Sequence, residues 1–177
     1  MKSTLIIFIC ACLLACTTSD PRLLISKAHY RMYEQNREVG ARNYLNRAIP
    51  KAIDSIDYYA LVTAYNMRAY TYIADGHRHT KKEPDRAIKD YLLAEEVASK
   101  YDINCELAHT YVGFALSYKI KDEKRLSCVY REKAKDLIAK ISSTASDIAF
   151  HCEHGLKELR AVESRFVKLN DYLDCQN

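Results

Sequence analysis

The chain has 177 residues, 49% of them hydrophobic and 28% charged, with 27 Lys and Arg against 23 Asp and Glu and a formal net charge of +4. A near balance spread along the chain leaves no footprint for nucleic acid, so no nucleic-acid partner is expected. Four Gly, three Pro and no alternating apolar stretch argue against a sheet and for an all-α domain, in which fourteen Tyr and no Trp serve helix packing and amphipathic surface alike.

Residues 1–15 carry one charge, Lys2, and then an apolar run from Leu5 to Leu14. The run is too short to span a bilayer as a helix and has the layout of a secretory signal, whose removal lowers the net charge by one. It ends Leu13-Leu14-Ala15-Cys16, which resembles a bacterial lipobox. The resemblance implies cleavage before Cys16, diacylation of that cysteine and a membrane partner through the N-terminal lipid. More than one acyl chain anchors a protein stably, where one is marginal. Thr17 follows, in place of an aspartate, and by resemblance to sorted bacterial lipoproteins this implies the outer membrane of the cell envelope. An ordinary cleaved signal is the alternative, since Cys10 and Cys12 lie in the same run. Residues 16–21 make the lipidated cysteine and a short tether.

Leu24, Ala28 and Met32 are four apart, which predicts a helix over 22–36 broken by Gly40. Ala41, Leu45 and Ala48 predict the next helix, and Pro50 should kink or end it. The stretch 60–139 then reads as two successive antiparallel helix pairs. Tyr65, Met67, Ala69, Tyr70 and Tyr72 give aromatic and apolar groups at helical spacing with a small residue between them. A polar insert over 76–85 follows, and Asp85 stands where it can cap a helix beginning at Arg86. Ala87, Tyr91 and Ala94 mark that helix. The arrangement returns in His109, Val112, Gly113 and Leu116, then in Ser127, Arg131 and Ala134. Ala87 to Ser127 and Ala94 to Ala134 are both 40 apart, and Ala69 to Gly113 is 44. A small residue one turn from large ones lets two helices cross closely.

This pattern resembles the tetratricopeptide repeat, W-x2-L-G-x2-Y, then A-x3-F, then A. Tyr65, Arg68, Ala69 and Tyr72, with Ala87, Tyr91 and Ala94, stand at its positions; so do His109, Val112, Gly113 and Leu116, with Ser127, Arg131 and Ala134. Arg68 and Arg131 depart from its apolar preference, and the period exceeds the usual value of about 34. The resemblance implies stacked antiparallel helix hairpins in a right-handed superhelix over 22–177, with units at about 22–56, 57–100 and 103–141. It also implies a partner-binding groove lined from the first helix of each unit: Asn66, Tyr70 and Ile73, then Thr110, Phe114, Ser117 and Tyr118. Plain core packing is the alternative for Tyr70 and Phe114.

Residues 142–147 read as a polar linker in which Ser146 or Asp147 caps a long C-terminal capping helix over 147–174. Leu156, Leu159, Val162, Phe166, Leu169 and Leu173 form its apolar stripe, and Gly155 begins a fourth, unfinished unit. Two places invite a metal: the His77-x-His79 pair in the insert, and His151, Cys152 and His154. Neither has a third ligand at fixed spacing, so a solvated basic loop and a packed helix seam are the expected roles, and no metal or other cofactor is assigned. Cys105, Cys128, Cys152 and Cys175 are even in number, which invites disulfides in an exported protein. Cys105 and Cys128 fall at opposite ends of one helix pair, beyond bridging distance, and the expectation is free buried thiols.

No Ser elbow, Walker loop, HExxH or GxGxxG is present, and the carboxylates are scattered, so an enzyme is not expected. The expected function is a lipid-anchored cell-envelope adaptor that binds an unidentified envelope protein or peptide in the groove. The alternative is a sensor or carrier holding a small apolar molecule or a metal in a pocket between helices. A truncated relative of helical-repeat regulators, with little activity of its own, is the weakest of the three.

Overall fold

The computed structural model describes residues 20–74, 81–144, 156–170 and Cys175. Everything regular among them is helical. Asp20 starts α1 (Pro21–His29): its carboxylate accepts from the Arg22 N–H at 2.8 Å, and Pro21 occupies the first turn, where no backbone donor is needed. Leu24 and Ala28 are buried. The helix then widens into a π turn, Tyr30–Glu34, which sends Met32 into the core. The Arg37 N–H donates to the Arg31 carbonyl at 2.9 Å, and Asn36, at φ 48°, turns the chain.

The break therefore falls at 35–37 and not at Gly40, which lies in the first turn of α2 (Glu38–Asp54). Pro50 does not end that helix either. It lies on the exposed side, where the carbonyl it leaves unbonded can meet water, while Leu45, Ala48, Ile49 and Ala52 are buried and hold the helix through it. Next come α3 (Tyr58–Thr71) and α4 (Pro84–Lys100). Asp85 sits inside the first turn of α4 and does not cap it; its carboxylate pairs with Lys121 at 2.9 Å. The remaining helices are α5 (Asn104–Ile120), α6 (Lys124–Ser143) and α7 (Leu156–Asn170).

Three of the connecting turns share one construction. Ile56, Asp102 and Asp122 take φ of 56°, 54° and 62°. In each, the following N–H reaches back to a helix carbonyl at 2.9 Å: Asp57 to Ala52, Ile103 to Ala98, Glu123 to Tyr118. Left-handed caps of this kind satisfy the orphan carbonyls of a helix end and fold the chain back along it. Aspartate tolerates the conformation, whereas a β-branched residue such as Ile56 is strained there.

Each helix packs on the next, and a second set of contacts joins α1 to α3, α3 to α5, and α5 to α7. No comparable contact joins α2 to α4 or α4 to α6, so the odd-numbered helices form one layer and the even-numbered helices another. The all-α reading stands. Both arginines that interrupt the apolar pattern tie helices together. Arg68 donates twice to Asp90 on α4, at 2.7 and 2.6 Å, and once to Asn46 on α2, at 2.9 Å. Arg131 donates to Asn170 at the end of α7, at 2.8 Å.

The free-thiol expectation is overturned. Cys128, near the start of α6, is bonded to Cys175 beyond α7, with their Cα atoms 5.7 Å apart, and Cys105 is disulfide-bonded as well. The obstacle to a Cys105–Cys128 bridge is real, but it does not apply to a chain end that returns to α6. Among the described residues no helix is long and apolar enough to cross a membrane.

Candidate functional site

The face of the odd-numbered helices holds a cavity of about 510 Å³. Tyr33 from the π turn, Asn66, Tyr70 and Ile73 from α3 and its C-terminal turn, His109, Val112, Gly113 and Leu116 from α5, and Arg165, Lys168 and Leu169 from α7 line it, so every member of that layer except the regular part of α1 contributes. Tyr91 reaches the wall from α4, passing beneath α5 because position 113 has no side chain. A Cβ at Gly113 would overlap the Tyr91 ring.

Arg165 is the electrostatic centre. Its Nη2 donates to the Tyr33 hydroxyl at 2.6 Å, and its guanidinium lies 5.3 Å from the centroid of the Tyr70 ring, which Tyr33 stacks upon at 6.4 Å. It makes no ion pair with any described carboxylate. Lys82, Lys119 and Lys168 complete a lining with four cations and, among the described residues, no carboxylate, thiol or Ser or Thr hydroxyl. Burial, seconded by the charge of Arg165, holds the His109 imidazole well below its ordinary pKa, so it is neutral near pH 7. Burial pushes the Tyr91 phenol up, and it stays protonated.

One acid, Glu106, stands behind this wall. Asn66 donates through Nδ2 to both the backbone carbonyl and the Oε2 of Glu106, at 2.9 and 2.8 Å, and the Thr110 hydroxyl lies 2.8 Å from the Asn66 Oδ1. This network joins α3 to α5 through buried groups, which in a dry interior requires each to be partnered.

Of the seven groove residues expected from sequence, Asn66, Tyr70 and Ile73 line the cavity. Thr110, Phe114 and Ser117 do not: each is 0% exposed. Thr110 belongs to the Asn66 network, the Ser117 hydroxyl donates to the Gly113 carbonyl at 2.8 Å, and Phe114 packs on Tyr130 at 4.4 Å and Tyr91 at 5.5 Å. Tyr118 is half-buried on the α6 side, stacked on Tyr130 at 5.6 Å, where burial pushes the Tyr130 phenol up to about 12. Cys16, the His77–His79 pair, and His151, Cys152 and His154 lie outside the described residues. Within the described residues no three His, Cys, Asp or Glu side chains gather as a metal needs.

No family model, curated protein or solved structure matches the chain.

The site therefore stands on its geometry. Sequence reasoning missed Tyr33, His109 as a lining group, Arg165 and Lys168. A signal for Arg165 was present: it falls three residues after Val162 and four before Leu169, inside the apolar stripe of α7, where a charge has no packing role. Tyr33 carried none, because the π turn sets its direction. A second cavity, of about 450 Å³, is lined by Glu38 and Glu83 and by Arg42, Lys81 and Lys82, and Arg42 pairs with Glu83 at 3.8 Å.

Proposed function

We propose that this chain is a lipid-anchored binding protein of the cell envelope, held to the membrane at Cys16, that retains a small molecule in the cavity on its odd-numbered face and does not transform it. In this reading the helices form a tetratricopeptide-like superhelix of antiparallel pairs, and α7 is its cap. The observation that carries the proposal is the position of α7: it crosses to the π turn through Arg165 and Tyr33 and walls one side of a cavity that stays open to solvent on another. A volume of about 510 Å³ suits a small ligand and is short of a docked helix. Among the described residues the lining pairs no nucleophile with a base, which favours holding over turnover.

The adaptor reading keeps one observation in its favour. Tyr70 offers the wall an aromatic ring beside the apolar Ile73, as peptide recognition uses. The two readings separate in two experiments on the full chain in its own cells. Native mass spectrometry of the purified protein is expected to show one small molecule per chain. A photo-reactive residue at Tyr70, with Lys89 on exposed α4 surface as control, is expected to give no discrete protein adduct. A single protein adduct from Tyr70 alone, with an empty preparation, would replace the carrier reading by the adaptor. An empty preparation without adducts would end both.

A further inference from the structure

A guanidinium has five N–H donors, and Arg165 gives one of them to Tyr33. The Tyr33 hydroxyl accepts that bond and keeps its own O–H to donate, so two donors of different residues converge at one place. The ring of Tyr70 covers one side of the guanidinium. A cation half-removed from water calls for a counter-charge, and none of the described carboxylates pairs with it. Glu106 contributes to its field, but that carboxylate is turned to the Asn66 amide. Lys168 lies three residues further along α7, on the same cavity and likewise without a described acid partner. The lining also holds apolar groups: Ile73, Val112, Leu116 and Leu169.

Resting on the carrier reading above, we propose that the ligand is an amphipathic organic acid, its carboxylate set against Arg165 and Tyr33 and its apolar body along Ile73, Val112, Leu116 and Leu169. A planar carboxylate matches the fork of a guanidinium, which can grip both of its oxygens. A metal cation is repelled by the same lining. A neutral apolar molecule fills the walls and leaves the Arg165 donors unmatched, which costs affinity.

The test is calorimetric titration of the full-length protein with 4-phenylbutyrate and octanoate, each against its neutral primary amide. The acids are expected to bind about ten- to a hundredfold more tightly than the amides, the range set by one charge-assisted hydrogen-bonded contact. Arg165→Gln is expected to bring acid and amide to equal affinity, and Arg165→Lys to restore part of the difference. Tyr33→Phe keeps the guanidinium and removes one donor, and should weaken the acids alone by about tenfold or less. Because Arg165 bridges α7 to the π turn, circular dichroism melts accompany each variant, and Tyr33→Phe serves as the reading if Arg165→Gln does not fold. Equal binding of acid and amide by the unaltered protein overturns this inference and leaves the carrier reading in place. A folded protein that binds neither overturns both.

Discussion

Helices α3 and α5 occupy equivalent places in the odd-numbered layer, yet they meet the cavity with different rotations relative to the repeat pattern. On α3 and its C-terminal turn the lining residues include Asn66, Tyr70 and Ile73; on α5 they are His109, Val112, Gly113, Leu116, Lys119 and Ile120. Asn66, Tyr70 and Ile73 correspond to His109, Gly113 and Leu116 at an offset of 43, whereas Ala69 and Gly113, the small residues that anchor the repeat, are 44 apart. Thr110, Phe114 and Ser117 are the offset-44 images of the α3 residues and all three are buried. One residue along a helix is a rotation of about 100°, enough to turn a wall into a core. The slip was invisible on α5 for a physical reason. That helix touches α3, α4, α6 and α7, and nearly its whole length is buried from Cys105 to Ser117. A helix covered on all sides has no apolar stripe to show which way it faces.

The contrast can be broken most decisively at its two aromatic positions. Phe114→Ala should lower unfolding free energy by about 3–5 kcal/mol, the usual cost of emptying a core aromatic site. Tyr70→Ala, at a half-buried wall position, should cost about 1 kcal/mol. Urea melts giving equal losses would erase the distinction between core and wall. A second pair compares the tying arginines. Asp90 is only 8% exposed beside Arg68, so Arg68→Ala strands a buried carboxylate and should cost about 3 kcal/mol. Glu132 is 47% exposed beside Arg131, and Arg131→Ala should cost less than about 1 kcal/mol by the same melts.

Smaller effects sharpen the picture of α5. Gly113→Ala gains about 1 kcal/mol of helix propensity, but the new methyl group meets the Tyr91 ring. A net loss of about 1–3 kcal/mol is expected, and stabilisation would show that the crossing is looser than described. The smallest effect is a pH slope. His109 has a folded pKa well below its value of 6.5 when exposed. Between those two values the unfolded chain binds the proton and the folded chain does not. Stability from this group is therefore complete above pH 6.5 and falls as pH drops below it, by about 1.4 kcal/mol per unit. His29 is displaced in the same direction, so the measurement is the difference made by His109→Gln in calorimetric melts at pH 7.5 and 5.5. An unchanged slope would place His109 in contact with water.

Much of the helical fold was legible because its stripes are one-sided. Leu24, Ala28 and Met32, then Ala41, Leu45 and Ala48, then Ala87, Tyr91 and Ala94 are all buried as their spacing implies. Local rules misled where packing overrode them: Pro50 is carried by buried neighbours on either side, and Asp85 found Lys121 in place of a helix end. The Cys128–Cys175 bond was illegible because spacing within helices says nothing of where a chain end returns. Half of the candidate wall was readable on α3. The decisive cation was readable only as a charge out of place in the stripe of α7.

The π turn has a consequence for changes in chain length. A helix counts its residues, and each insertion swings everything beyond it around the axis. The widened turn at Tyr30–Glu34 absorbs such a step, so that Met32 goes to the core while Tyr33 meets Arg165. Remove one residue there and an unbroken α-helix becomes possible, with Tyr33 carried round and away from the cavity. Side-chain substitutions can only weaken this end of the site, whereas a single-codon deletion would put it out of phase altogether.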